Sequence, residues 1–102
     1  TPQRLSSMAN LPTLDEQGLK GFDLKVWHGM YAPKGTPKEV IDQLNKALNV
    51  ALKDDNVKKR IAELSADLVS PEKATPESLR KFLQAETVRW DKVIKAAGVT
   101  AD

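Results

Sequence analysis

Residues 22–32, Phe-Asp-Leu-Lys-Val-Trp-His-Gly-Met-Tyr-Ala, alternate in character, and the sequence offers them no adequate partner. Phe22, Leu24, Val26, His28, Met30 and Ala32 fall on one side of an extended chain, with Asp23, Lys25, Trp27, Gly29 and Tyr31 on the other. The pattern predicts a strand whose inner face is apolar except for His28. A strand left alone presents unpaired N–H and C=O groups along both edges. The other extended stretch, Asp67-Leu68-Val69, is too short to make a stable sheet with it. Partners must come from sequence outside this chain or from a second copy that exchanges an element. The isolated chain is therefore expected to associate, as a dimer or an element-swapped pair.

The remainder reads as loop and helix. Residues 1–21 carry no period apart from one helical turn at Thr13-Leu14-Asp15-Glu16-Gln17-Gly18. Thr13 can cap that turn, Glu16 completes a capping box, and Gly18 can end it in a left-handed conformation. Two helices are expected over 37–65. Thr36 is the candidate cap of the first, with Pro37 at its first position and Glu39 closing a capping box. Its apolar positions are Val40, Ile41, Leu44, Ala47, Leu48, Ala51 and Leu52. Asp54 or Asp55 can cap the second, which carries Val57, Ile61 and Leu64 on one side. A long helix over 75–98 opens on Thr75-Pro76, places Leu79, Phe82, Leu83, Glu86, Trp90, Val93, Ile94 and Ala97 on one stripe, and stops at Gly98.

Composition removes several function classes. A chain of 102 residues is one domain at most. Its 16 Lys+Arg against 14 Asp+Glu leave a net charge of +2, too little to seek a nucleic-acid backbone. Without Cys it has no disulfide framework and no thiolate site, and with His28 as the one histidine it has no metal cluster. No apolar run approaches a membrane span. The start, Thr1-Pro2-Gln3-Arg4, is neither a signal peptide nor a methionine start, so the chain reads as processed or as a piece of a longer one.

No catalytic constellation emerges. Gly18, Gly21, Gly29 and Gly35 are spaced for turns rather than for a phosphate loop. Asp54 and Asp55 suit a helix start better than acid–base work. Two readings stand for His28, a satisfied core or hinge residue and a ligand contact. Trp27 either packs against a neighbour or lines a cleft. Glu86, the polar member of an apolar stripe, needs an Arg, a Lys or a backbone group, because unpaired burial costs several kcal/mol. Lys58-Lys59-Arg60 reads as a solvated face. Neither a catalytic residue nor a cofactor is expected, and the chain is read as a non-enzyme.

From Leu11 to Val99 the sequence resembles the C-terminal portion of the Bug family, the receptors of tripartite tricarboxylate transporters. The resemblance is carried by Leu11-Pro12-Thr13-Leu14, Glu16-x-Gly18-Leu19-x-Gly21-Phe22, Trp27-x-Gly29-Met30-Tyr31-Ala32-Pro33-x-Gly35-Thr36-Pro37, Leu44-Asn45, Arg89-Trp90 and Ala96-Ala97-Gly98. It implies an α/β chain forming part of a two-lobed, periplasmic-binding-protein-like (type II) fold. This portion would be mostly helical, with one main crossing strand over 22–32 and a long C-terminal helix, and residues 1–102 would form a single C-terminal segment. It further implies a periplasmic receptor that captures a small carboxylate and delivers it to membrane transporter subunits. Trp27, His28 and Tyr31 are the residues expected near the cleft or hinge. The alternative is a small, mostly helical interaction or self-associating module without a ligand.

Overall fold

The computed structural model describes residues 3–100 and divides the chain into two compact units, Thr1–Val69 and Ser70–Asp102. Thr1 and Pro2, where segment 1–21 begins, lie outside the described residues. The first unit holds a 3₁₀ turn at Ser6–Met8, helix α1 (Lys38–Ala51) and helix α2 (Asp55–Glu63). The second holds a 3₁₀ turn at Pro71–Lys73 and helix α3 (Pro76–Ala97).

The strand expected over 22–32 is not there: among the described residues none joins a β-ladder, and this portion is helical. The physical reason is the missing partner, since an extended segment with nothing beside it solvates its backbone instead of pairing. Burial departs from the alternation as well. Phe22, Leu24, Val26, His28 and Met30 are exposed, Val26 to 88%, whereas Asp23, Trp27, Gly29 and Ala32 are half-buried.

Local chemistry sets where the helical pieces begin. In the turn at 13–18, the Glu16 N–H donates to Thr13 Oγ1 at 3.1 Å, while the Thr13 N–H donates back to Glu16 Oε2 at 2.7 Å. That reciprocal pair is a capping box. Asp54 caps α2, its Oδ1 accepting from the N–H groups of Asn56 and Val57. Thr75 caps α3 through the Ser78 N–H, with Pro76 at the first position. Thr36 does not cap α1. Its hydroxyl turns back to donate to the Pro33 carbonyl at 2.8 Å, and Pro37 takes the cap position, so the helix starts one residue later than expected.

Three helical pieces end alike. At Gly18, Ser65 and Gly98 the backbone turns left-handed, with φ of 104°, 53° and 65°. Each donates to the carbonyl three residues back, and the following residue donates to the carbonyl five back: Leu19 to Leu14, Ala66 to Ile61 and Val99 to Ile94. This is the Schellman arrangement, which satisfies carbonyls the helix leaves open. Ending α2 there leaves Leu64 as its C-cap and exposed, off the Val57–Ile61 face the sequence assigned it.

Ser65 is the exception among the three, being the one described residue other than glycine at positive φ. A left-handed side-chain-bearing residue costs roughly 1–2 kcal/mol and glycine's extra chain entropy costs roughly 0.5–1, so the strain is the larger. Ser65→Gly is expected to stabilise the end of α2 by about 0.5–1 kcal/mol. Hydrogen exchange of the Ser65 and Ala66 amides should slow; unchanged or faster exchange would contradict the strain.

Each helix buries little. Along α1, Ile41, Asn45, Leu48 and Leu52 are half-buried, while a second stripe of Val40, Leu44, Ala47 and Ala51 is exposed. Along α3, Leu79, Phe82, Glu86 and Trp90 are half-buried and Leu83, Val93, Ile94 and Ala97 are exposed. Among the described residues Ala74, 6% exposed, is the one buried apolar residue.

Candidate functional site

The extended segment 22–32 is held at both ends by turns. At its entry the Gly21 N–H donates to Asp15 Oδ2 at 2.8 Å and Lys20 Nζ lies 3.3 Å from Oδ1. The Gly21 N–H, followed by the Lys20 ammonium, holds the Asp15 carboxyl below the usual carboxylate range. The neighbouring Glu16 faces the other way, binding Arg4 through Nε (2.8 Å to Oε2) and Nη2 (2.9 Å to Oε1). Consecutive carboxylates thus fasten one turn to the chain before it and the chain after it. At the exit, Pro33–Thr36 closes a turn in which the Thr36 N–H donates to the Pro33 carbonyl at 3.2 Å. Gly35, at φ 87°, supplies the positive angle that a type II turn needs at its third position.

Between these anchors lie the three residues singled out by sequence. Trp27 is half-buried, His28 is exposed and Tyr31 is 60% exposed. The inner-face placement of His28 and the outer-face placement of Trp27 are therefore reversed. The Tyr31 ring folds back over Gly29: a Cβ built there would lie 2.8 Å from Tyr31 Oη and 3.0 Å from Cζ and Cε2. Gly29 thus does permit a close approach, though by a side chain rather than by another backbone. Together the three supply an indole face, an imidazole and a phenol hydroxyl, of which the last two can donate to a carboxylate.

A hollow of about 210 Å³ lies elsewhere in the first unit, lined by Leu5, Ser7, Ala62, Ser65, Ala66 and Asp67. Sequence reading did not single out any of these residues. The lining comes from two short stretches, 5–7 and 62–67, that carry no motif, so there was no signal to find. Ser7, Ala62, Ala66 and Asp67 are exposed, so the hollow is open to water. Its lining has no cation, and the Asp67 carboxylate would repel an anion.

In the second unit, Glu86 finds the partner that the sequence requires of it. Its side chain, 16% exposed, accepts from the Trp90 indole N–H at 3.1 Å and from Arg89 Nη1 at 3.2 Å. The Arg89 guanidinium lies 5.3 Å from the Trp90 ring centroid, within cation–π range. Arg89 and Trp90 each lie about one turn after Glu86 on α3, so the cluster satisfies a half-buried acid within a single helix. Among the described residues no group of three or more His, Asp or Glu is placed to hold a metal ion. No described helix is long and apolar enough to cross a membrane.

Residues 1–99 match the family described as tripartite tricarboxylate transporter family receptor, and the chain belongs to it. Among curated proteins it is 43% identical over 98 residues to the UPF0065 protein in the TAR-I ttuE-ttuC' intergenic region of Agrobacterium vitis, covering 96% of this chain and 28% of that one. It is 35% identical over 88 residues to protein BugT of Bordetella pertussis, covering 86% of this chain and 26% of the relative. Among solved structures it is similar to the periplasmic binding protein BugD, with a TM-score of 0.85 and 39% identity over the whole of this chain and 34% of that one. The chain thus spans about a quarter to a third of the length of these three proteins. The family is one of receptors rather than of enzymes.

Proposed function

We infer that the chain is the C-terminal segment of an extracytoplasmic solute-binding receptor, working in the periplasm, that captures a small carboxylate for a tripartite tricarboxylate-type transporter. The observation that carries this reading is its likeness, end to end, to the periplasmic binding protein BugD. The fold it belongs to would be two-lobed and of type II. Closing the lobes over a carboxylate shifts an open–closed equilibrium by the difference in affinity between the two states, and the closed state is what a membrane partner can recognise.

Trp27, His28 and Tyr31 are the residues of this segment proposed to meet the ligand or to act at the hinge. Their support is chemical: a flat apolar face beside two hydrogen-bond donors suits a carboxylate with an organic body. The hollow at Ser65 and Asp67 carries a carboxylate that would repel an anion, so the segment 22–32 is the better choice.

The test uses BugD in which the matched third is replaced by residues 1–102, with benzoate, succinate and citrate as probes. At least one is expected to raise the melting temperature through binding to the folded state. In that protein Trp27→Ala is expected to weaken the affinity about tenfold, equivalent to about 1.4 kcal/mol. A folded chimera that none of the probes stabilises would count against the carboxylate reading. Unchanged affinity in Trp27→Ala would remove Trp27 from the site.

A further inference from the structure

Residues two apart share one side of an extended chain, which puts Gly29 between Trp27 and Tyr31 along the segment 22–32. The middle member has no side chain, and the Tyr31 ring takes the space. Its hydroxyl oxygen comes nearest, 2.8 Å from where a Cβ at residue 29 would sit, with Cζ and Cε2 at 3.0 Å. Non-bonded carbon atoms rest about 3.5–4.0 Å apart, so the ring can lie there only while residue 29 is glycine. The backbone makes no such demand, because Gly29 is not among the residues at positive φ. Nor does the ring fold down to be buried, since Tyr31 stays 60% exposed. The hydroxyl it brings to residue 29 has no hydrogen-bond partner among the described residues.

We propose that Gly29 is a positioning residue: it seats the Tyr31 ring so that the phenol hydroxyl is held over residue 29, next in the chain to His28, as a donor to the ligand's carboxylate. The proposal rests on the reading of 22–32 as the segment that meets the ligand. It adds which atom of Tyr31 is used and what aims it. A phenol hydroxyl is a neutral donor whose hydrogen bond to a carboxylate is charge-assisted, and so stronger than one between neutral groups. A ring seated before the ligand arrives loses little rotamer freedom on binding. A methyl group at residue 29 would displace the ring and forfeit that advantage with the hydroxyl still present. Because the displaced part is the far end of an exposed side chain, the change would alter the ring's place without breaking the fold.

The same BugD chimera tests this, with benzoate, succinate and citrate as probes and the free 102-residue chain as reference. In both proteins, nuclear Overhauser contacts are expected between the Tyr31 ring protons and the α-protons of Gly29. Gly29→Ala should abolish them while leaving the melting temperature of the chimera close to the parent's. Tyr31→Phe, which keeps the ring and removes the hydroxyl, is expected to weaken the affinity for the best-bound probe about tenfold, and Gly29→Ala by a similar factor. Once Tyr31→Phe is in place, Gly29→Ala should cost no more than about twofold further, since both changes remove one interaction. A purely structural role for Gly29 would make the two losses multiply in full. A parent without the ring contacts, contacts that survive Gly29→Ala, independent losses, or unchanged affinity in Tyr31→Phe would each overturn the proposal. A folded chimera that binds no probe would overturn the carboxylate reading and the hydroxyl's part in it, while the ring contacts would still decide whether Gly29 seats Tyr31.

Discussion

Replacing Glu16 by alanine is expected to release the chain before the turn at 13–18 and to open the turn itself. One carboxylate binds Arg4 through two nitrogens and also accepts the Thr13 N–H at 2.7 Å. The Arg4 hydrogen bonds, followed by the Thr13 N–H, hold the Glu16 carboxyl down at about 2, from an ordinary 4.5. Because the folded-state value is the lower one, Glu16 favours the folded turn fully above about pH 4.5. Its contribution shrinks as pH falls below that and is gone once pH passes about 2. In Glu16→Ala the Thr13 amide should exchange at least about tenfold faster at neutral pH. Acidifying the parent through this window should reproduce the loss. The Arg4 contact is exposed and should weaken with salt. Glu16→Gln, which can still accept from Thr13, should retain more protection than the alanine variant. A Glu16 carboxyl titrating near 4.5 in the folded chain would refute this account.

Gly18→Val is expected to cost about 1–2 kcal/mol of local stability, as much as any single backbone change in the first unit. At φ 104° no L side chain is comfortable, and valine's branched Cβ adds to the strain. Space is not the obstacle, since a Cβ at Gly18 would meet nothing within 4 Å. Exchange at Gly18 and Leu19, whose N–H groups close the turn onto Asp15 and Leu14, should report the loss. Gly29 presents the opposite case, where the added carbon meets the Tyr31 ring and the backbone is not at issue. A Gly18→Val chain with unchanged exchange would show that the turn does not depend on its left-handed stop.

The helix ends were legible because caps are local. Thr13 with Glu16, Asp54, Thr75 with Pro76, and Gly98 each act within a few residues of where they stand. Thr36 failed the same reading because its hydroxyl donates to the Pro33 carbonyl three residues back, and its oxygen accepts from no N–H of the helix. The strand failed for a non-local reason. Alternation says that a segment could line one face of a sheet, but a sheet is made by neighbours, and none is present among the described residues. The site residues shared that fate. Their chemistry was legible at Trp27, His28 and Tyr31, but their depth was not, since alternation put His28 inside and Trp27 outside. The link from Arg4 to Glu16 spans twelve residues without a period or a motif, so only coordinates reveal it.

The two ends of α3 are fixed by the chain's own chemistry, Thr75 at one and Gly98 at the other. Its 22 residues make a strut about 33 Å long, close to the width of a small domain. Neither end can fray or lengthen without giving up a hydrogen bond, so its length is insensitive to what leans on it. Anything fastened to one end is carried with the other, as by a lever of set reach, and slack must be taken up in the loops beyond.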